Sequence, residues 1–268
     1  MRRPVPSEPK INQGLIEKIQ CLNFVLVGDV RAGTYPLHTA LSAVPVIAAH
    51  AHLLHNDVST RTKAYTDYFK AHGFPFNPEE NSAHYFLKNR IFDRPLHRET
   101  IVGVRITYDQ MLKHDLFDFL KEHTNEGDFC VIHVERNPLA CFISKKQADV
   151  SKTYYQTSRH YSDKIPGKIW LNDEELTDFT RDHSRVRDKI NSICHDVCRI
   201  QYQNLYFDFD TEMQKILTFL EIPETTIQHP AVYRLPNATM TERVFQLDKI
   251  LAELPNDVRG DIMARDLF

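Results

Sequence analysis

Leu22-Asn-Phe-Val-Leu-Val27-Gly28-Asp29-Val30-Arg31-Ala32-Gly33-Thr34-Tyr35-Pro36 decides how this chain folds. Leu22 to Val27 is a short apolar run closed by Gly28, the pattern of a buried strand. Thr34 to Leu41 has helical spacing, and Pro36 falls in the first turn, where its missing N–H is harmless. A loop between a buried strand and a helix N-terminus can wrap an anion with backbone N–H groups. Gly28 and Gly33 have the Gly-x-x-x-x-Gly spacing of a triphosphate-binding loop, and the chain has only 8 glycines in 268 residues, so the pair is informative. Such a loop continues with Lys, for the β/γ-phosphates, and Ser/Thr, for Mg²⁺. Thr34 and Tyr35 follow here instead, and a cation, Arg31, sits inside the loop. The segment reads as a site for an anion held without Mg²⁺; the alternative is a tight strand-to-helix turn with a solvated arginine.

Working outward, the alternation of strand and helix repeats. Further strands are predicted over 44–49, 100–106, 129–134 and 200–206. Helices are predicted over 59–72, 108–124 in two pieces, 138–150, 172–199, 211–220 and 241–254. Asp173, Glu174 and Glu175 fall in the first turn of the long 172–199 helix, where the helix dipole favours them. Residues 73–95 read as an irregular excursion rich in Pro, Asn and aromatics, and 151–167 as a polar stretch. This order implies an α/β fold, a P-loop-like doubly wound parallel sheet of about five strands with helices on both faces. The expected organisation is an N-terminal tail over 1–20 and a single domain over 21–268.

Composition excludes several functions. Lys plus Arg is 33 and Asp plus Glu 36, a net charge of −3, so nothing global draws the chain to nucleic acid. No apolar run approaches the ~20 residues that span a bilayer. Met1 to Lys10 is polar, contains Pro4, Pro6 and Pro9, and lacks the apolar core of a leader, so a cytoplasmic protein is expected. Five scattered cysteines, Cys21, Cys130, Cys141, Cys194 and Cys198, fit reduced, packed thiols. Cys194 and Cys198 are predicted i,i+4 on a helix without the further ligands a zinc site wants, so no metal is expected.

A second cation follows a strand. In Val131-Ile-His-Val-Glu135-Arg136-Asn137-Pro138, Arg136 lies just past the strand end, Pro138 starts a helix, and Ser144 sits about two turns into it. Ligands of open parallel sheets bind at carboxyl ends of strands. Arg136 and Ser144 are therefore candidates to grip one phosphate; the alternative is a surface ion pair and a helix-surface serine.

Taken in order, Arg31-x-Gly33-Thr34 and Arg136-Asn137-Pro138-x₅-Ser144 resemble the two nucleotide-binding motifs of the sulfotransferase family, bacterial and carbohydrate-type enzymes in particular. Val46 to His55 resembles the family's second strand, often ending His-Gly-Glu. Ile101-Val-Gly103-Val-Arg105 with Tyr108-Asp109-Gln110 is similar to its Gly-x-Lys strand and Tyr-Asx-Gln. Gln203-Asn-Leu205 and Ile216-Leu-Thr-Phe219-Leu220 are similar to its Tyr-Glu-Asp-Leu strand and Phe-Leu-Gly helix. The resemblance spans most of residues 22–254.

The resemblance implies a donor, 3′-phosphoadenosine 5′-phosphosulfate (PAPS), and a product, 3′,5′-ADP. It implies that Arg31, Ala32, Gly33, Thr34 and Tyr35 hold the 5′-phosphosulfate, and that Arg136 and Ser144 hold the 3′-phosphate. Tyr35 departs from the family's small hydroxyl residue, and Ala51 from its Gly. His52 falls where related enzymes carry a catalytic Glu, and is the expected general base; an imidazole with an ordinary pKa of ~6.5 suits that role. His50, two residues earlier, is the other candidate. Arg31 is expected to stabilise charge on the leaving phosphate. The implied acceptor is a hydroxyl on a carbohydrate or glycolipid. The aromatics Tyr65, Tyr68, Phe69, Phe74, Phe76, Tyr85, Phe86 and Phe92 suit a sugar face or an aromatic alcohol, or simply form a core under an insertion, and Lys88, Arg90, Arg94 and Arg98 suit an acidic acceptor, or simply form a solvated face. Two other readings remain open from sequence: a P-loop nucleotide kinase, and a non-catalytic nucleotide-binding protein on a decayed sulfotransferase fold.

Overall fold

The computed structural model describes residues 23–51, 53, 54, 83–92, 101–152, 167–223, 225, 227 and 240–264. Strand β1 is Asn23–Gly28, followed by α1 (Thr34–Ser42) and β2 (Ile47–His50). After α2 (Ala83–Phe86), which runs into a π-helical turn over Leu87–Phe92, come β3 (Ile101–Thr107), α3 (Tyr108–Lys113) and α4 (Phe117–Glu126). Then follow β4 (Phe129–Glu135), α5 (Pro138–Ser151), α6 (Asp173–Ile193), β5 (Val197–Gln201), α7 (Tyr202–Phe207) and α8 (Phe209–Phe219). The C-terminal part holds α9 (Met240–Arg243), α10 (Leu247–Glu253) and α11 (Asn256–Met263).

The five strands form one parallel sheet in the order β2-β3-β1-β4-β5. The chain leaves β1 toward one edge and later crosses to the other. The loop after β1 therefore lies at the point where the winding reverses, the place where such sheets bind ligands. The central strands β1, β3 and β4 are buried on both faces because helices cover both. Phe24, Leu26, Ile132 and Val134 pack against Leu37 and Leu41 of α1 and Met213 and Ile216 of α8. Val25, Val27, Val104 and Ile106 pack on the other face against Met111, Phe119, Leu120, Val186 and Ile190. A third cluster joins Leu139, Phe142 and Ile143 of α5 to Leu176 of α6 and Leu247, Val258 and Ile262 near the C-terminus.

Several elements differ from expectation. The strand predicted over 200–206 begins earlier, at Val197, and ends at Gln201, while Tyr202–Phe207 is a helix. Its burial alternates, with Cys198 and Ile200 inward and Arg199 outward, as suits an edge strand. The long helix consequently stops at Ile193, and Cys194 is already extended, with φ −101° and ψ 124°. Cys194 and Cys198 thus do not share a helix face. The helix expected over 241–254 is two, because Val244 bridges to Ile169 and Gln246 adopts φ 53°. Helix α11, after Pro255, had no counterpart in the sequence reading, and residues 83–92 are helical within the stretch read as irregular. The helix expected over 59–72, the tail over 1–20 and Cys21 lie outside the described residues.

Cys130, Cys141, Cys194 and Cys198 are free and buried. Burial pushes the Cys130 thiol up to about 12, and those of Cys194 and Cys198 up to about 11. These groups stay protonated and unreactive at neutral pH.

Candidate active site

The site is built on the turn from β1 to α1. A Cβ at Gly28 would stand 2.6 Å from Thr34 Cγ2 and 2.8 Å from the Val134 carbonyl, so only glycine lets the loop fold down onto β4. The Asp29 side chain accepts from the Val30 N–H at 2.6 Å, and its carbonyl accepts from the Ala32 N–H at 3.1 Å. Arg31 and Gly33 both have left-handed backbones, φ 68° and 92°. That conformation is strained for arginine and persists only where its surroundings hold it. Gly33 caps α1 without a side-chain hydrogen bond, so the first-turn N–H groups of α1 face out of the loop as anion donors.

Three arginines converge here. The Arg31 Nε donates to Ser144 Oγ at 3.1 Å, and Arg136 Nη1 donates to the Arg31 carbonyl at 2.6 Å. Arg136 also stacks over the Tyr202 ring, 4.0 Å from its centroid, and the same ring crowds Gly33, where a Cβ would meet Tyr202 Cδ2 at 2.6 Å. Arg105 follows Ile101 and Gly103 on the α1 face of β3, and its Nη1 donates to Thr34 Oγ1 at 3.3 Å. Arg105, Arg136 and Ser144 are all buried. The Arg136 Nε is buried with no hydrogen-bond partner among the described residues. Buried cations at a helix N-terminus, one with a spare donor, suit a group carrying several negative charges.

A second polar cluster lies beneath the loop. Asp29 Oδ2 accepts from His183 Nδ1 of α6 at 2.6 Å. His183 meets the Tyr108 ring edge-on, with centroids 5.1 Å apart, and the Tyr108 hydroxyl bonds His133 Nε2 at 2.5 Å. Burial drives the His133 pKa down to about 4, so the ring is neutral at physiological pH. Glu135 lies 3.6 Å from the other side of that imidazole and accepts from Gln201 at 3.0 Å. Asn137 caps α5 by accepting from the Leu139 and Ala140 N–H groups, and its amide donates to the Ile262 carbonyl at 2.8 Å, tying α11 to the site.

Asp29, Cys141 and His183 each place a potential metal-ligand atom within 4.8 Å of the other two. Asp29 and His183 already bond each other directly at 2.6 Å, closer than the ~3 Å or more that separates two ligands of a tetrahedral ion. His123, Glu126 and Asp128 form a similar group at the opposite end of the sheet, where His123 Nδ1 bonds Asp128 at 2.7 Å.

Of the residues expected from sequence, Arg31, Ala32, Gly33, Thr34, Tyr35, Arg136 and Ser144 lie together at the carboxyl ends of β1 and β4. The two motifs form one constellation, with Ser144 bonding Arg31. His52 lies outside the described residues. His50 closes β2, in register with Val104 of β3, so β3 separates it from the loop. Sequence reading did not single out Arg105, Tyr202, Asp29 or His183 as site residues. The signal for Arg105 was the lone charge in Ile101–Thr107, and for His183 a polar residue on the buried face of an amphipathic helix. Tyr202 was hidden by the misplaced strand boundary.

A parallel sheet with a glycine-bounded loop, a helix N-terminus and converging arginines at its switch point has the chemistry to hold a phosphorylated group, without the P-loop lysine. Residues 24–226 match the sulfotransferase family, and the chain belongs to it. It is an enzyme of the sulfotransferase class. No curated protein matches the chain. Among solved structures, a sulfotransferase from Alicyclobacillus acidocaldarius shares 15% identity over 92% of this chain and 97% of its own, with a TM-score of 0.48. The sulfotransferase domain of the Synechococcus PCC 7002 olefin synthase shares 11% over 91% and 88%, with a TM-score of 0.42. A mouse sulfotransferase complexed with PAP shares 13% over 80% and 66%, with a TM-score of 0.39. Among the described residues no helix is long and apolar enough to cross a membrane.

Proposed function

We propose that this sulfotransferase takes its sulfuryl group from PAPS and passes it to a hydroxyl of a carbohydrate or glycolipid acceptor in the cytoplasm, releasing 3′,5′-ADP. The observation that carries the donor assignment is the contact of Arg31 with both Ser144 and Arg136. It supports one pocket able to hold two phosphate-bearing groups, which a nucleotide with charge at both its 3′ and 5′ positions requires.

In this reading residues 31–35 receive the 5′-phosphosulfate at the N-terminus of α1, and Arg136 and Ser144 receive the 3′-phosphate. The donor supplies the sulfuryl group and a phosphate leaving group. As the bond from sulfur to the phosphate oxygen breaks and the acceptor oxygen bonds sulfur, negative charge grows on the phosphate. Arg31 and the Gly33, Thr34 and Tyr35 N–H groups offset that charge. His52 takes the acceptor proton. The acceptor assignment rests on the aromatic and basic residues of the 56–98 segment together with the family's chemistry. The kinase reading is weaker, since Thr34, which accepts from Arg105, and Tyr35 stand where a kinase loop carries its lysine and its Mg²⁺-binding Ser/Thr.

Calorimetry tests the reading. Binding of 3′,5′-ADP without Mg²⁺ is expected. ATP binding that depends on Mg²⁺, or binding of no nucleotide, would overturn it. Transfer of radiolabelled sulfate from PAPS to a panel of hydroxyl compounds identifies the acceptor class.

A further inference from the structure

His183 lies in the middle of α6, on the buried side of an amphipathic helix, far in sequence from the loop it touches. Its Nδ1 meets Asp29 Oδ2 at 2.6 Å across 154 residues, and both side chains are buried, 1% and 5% exposed. The other Asp29 oxygen holds the Val30 N–H at 2.6 Å. A carboxylate accepts at both oxygens, so the proton of the shared bond belongs to His183 Nδ1. Asp29 is thus clamped between α6 and the backbone at the exact start of the loop. Two residues on, Arg31 is held at φ 68° with its guanidinium against Ser144. A strained backbone relaxes unless its neighbours are fixed, and Asp29 is the fixed neighbour on the strand side.

We propose that His183 is a positioning residue for the 5′-phosphate half of the donor site, acting through its Nδ1–H on Asp29 to set the left-handed Arg31 turn. This rests on the reading of residues 31–35 as the 5′-phosphosulfate loop. The ring meets the loop at Asp29, with Cys141 of α5 close by. It faces Asp29 from the loop, Tyr108 from α3 and Phe179 from its own helix. Its contribution is geometric: without the Nδ1–H donor, a buried carboxylate is left short of one partner and turns toward water, taking Val30 and Arg31 with it.

Because the role belongs to one nitrogen, two amides of similar chemistry separate it from mere filling of space. An asparagine side-chain nitrogen can occupy the place of Nδ1, whereas that of glutamine matches Nε2. In the full-length protein, His183→Asn should bind 3′,5′-ADP within about threefold of wild type. His183→Gln and the apolar His183→Leu should each lose about tenfold or more, the scale of a lost hydrogen bond to a buried charge. Affinity for 3′-AMP, which lacks the 5′-phosphate, should change by less than about threefold in all of them, since the lost contact serves the other half of the pocket. The inference is overturned if His183→Gln binds as well as His183→Asn, or if 3′-AMP and 3′,5′-ADP weaken equally. A wild-type protein that binds neither nucleotide would instead overturn the reading of the pocket, and this inference with it. Thermal unfolding of the two amide variants should agree within a few degrees while their 3′,5′-ADP affinities differ; parallel losses of both would mark His183 as structural only.

Discussion

Arg136 donates from Nη1 to the main-chain carbonyl of Arg31 at 2.6 Å, joining the turn after β1 to the end of β4 across 105 residues. The side chain of one candidate phosphate-binding arginine therefore supports the backbone of the other. Tyr202 completes the joint, lying flat against the Arg136 guanidinium and over Gly33. The two halves of the pocket are therefore partly coupled, so a change in one should reach the other in weakened form.

Arg136→Ala should cost about 1.5–3 kcal/mol of 3′,5′-ADP affinity, the range for a hydrogen bond to a charged group. Titration with 5′-AMP should show a smaller but measurable loss, because the support of the Arg31 carbonyl goes too. Equal losses for the two nucleotides would reject Arg136 as the 3′-phosphate ligand.

Arg31→Ala should lower kcat at saturating PAPS, since the cation works most on charge that develops in the transition state. Arg31→Lys should restore part of it, although lysine lacks the fork that reaches Ser144. Steady-state kinetics decide the matter: a change confined to KM would mean uniform binding.

Gly33→Ala should destabilise the protein by about 1–3 kcal/mol, from a left-handed backbone and a clash with Tyr202. The double variant Gly33→Ala/Tyr202→Ala should remove the clash while losing the stacking on Arg136. Denaturant titration should therefore show the two substitutions to be non-additive, and additive effects would mean that the ring moves aside freely.

His133 sets an acid-side dependence of stability. Its folded pKa, about 4, lies below the ordinary value of 6.5, so the unfolded chain binds this proton more readily. The neutral ring's contribution is fully present above about pH 6.5 and is lost as pH falls toward 4, by an amount on the order of a few kcal/mol. His133→Gln keeps an acceptor for the Tyr108 hydroxyl but cannot take up a proton. Melting curves from pH 7 to 4.5 should fall more steeply for wild type than for this variant.

His52→Ala should lose about 10²–10⁴-fold in kcat if removal of the acceptor proton limits the rate. His52→Glu should keep more activity than His52→Ala and hold it to lower pH, whereas wild type should lose kcat/KM below about pH 6.5. Near-normal turnover by His52→Ala would move the assignment to His50.

The order of strands and helices and the loop between Gly28 and Tyr35 were legible in the sequence because each depends on spacing within a few turns of chain, whereas Ser144, read from sequence as a partner of Arg136, bonds Arg31 instead. Apolar runs, a proline in a first turn and glycines at a strand end act locally, wherever the segment sits. The errors were local too: Val197–Gln201 and Tyr202–Phe207 are short, and five apolar-alternating residues after a long helix read equally well as its continuation. What tertiary structure alone decided is which distant groups meet. The sheet order β2-β3-β1-β4-β5 puts β3 and β4 on either side of β1, and so brings Arg105 to Thr34, Arg136 to Arg31 and His183 to Asp29 over separations of 71, 105 and 154 residues. No spacing rule reaches that far. These contacts follow from how the crossover helices pack on the two faces of the sheet, and burial then turns an isolated charge or imidazole into part of a pocket.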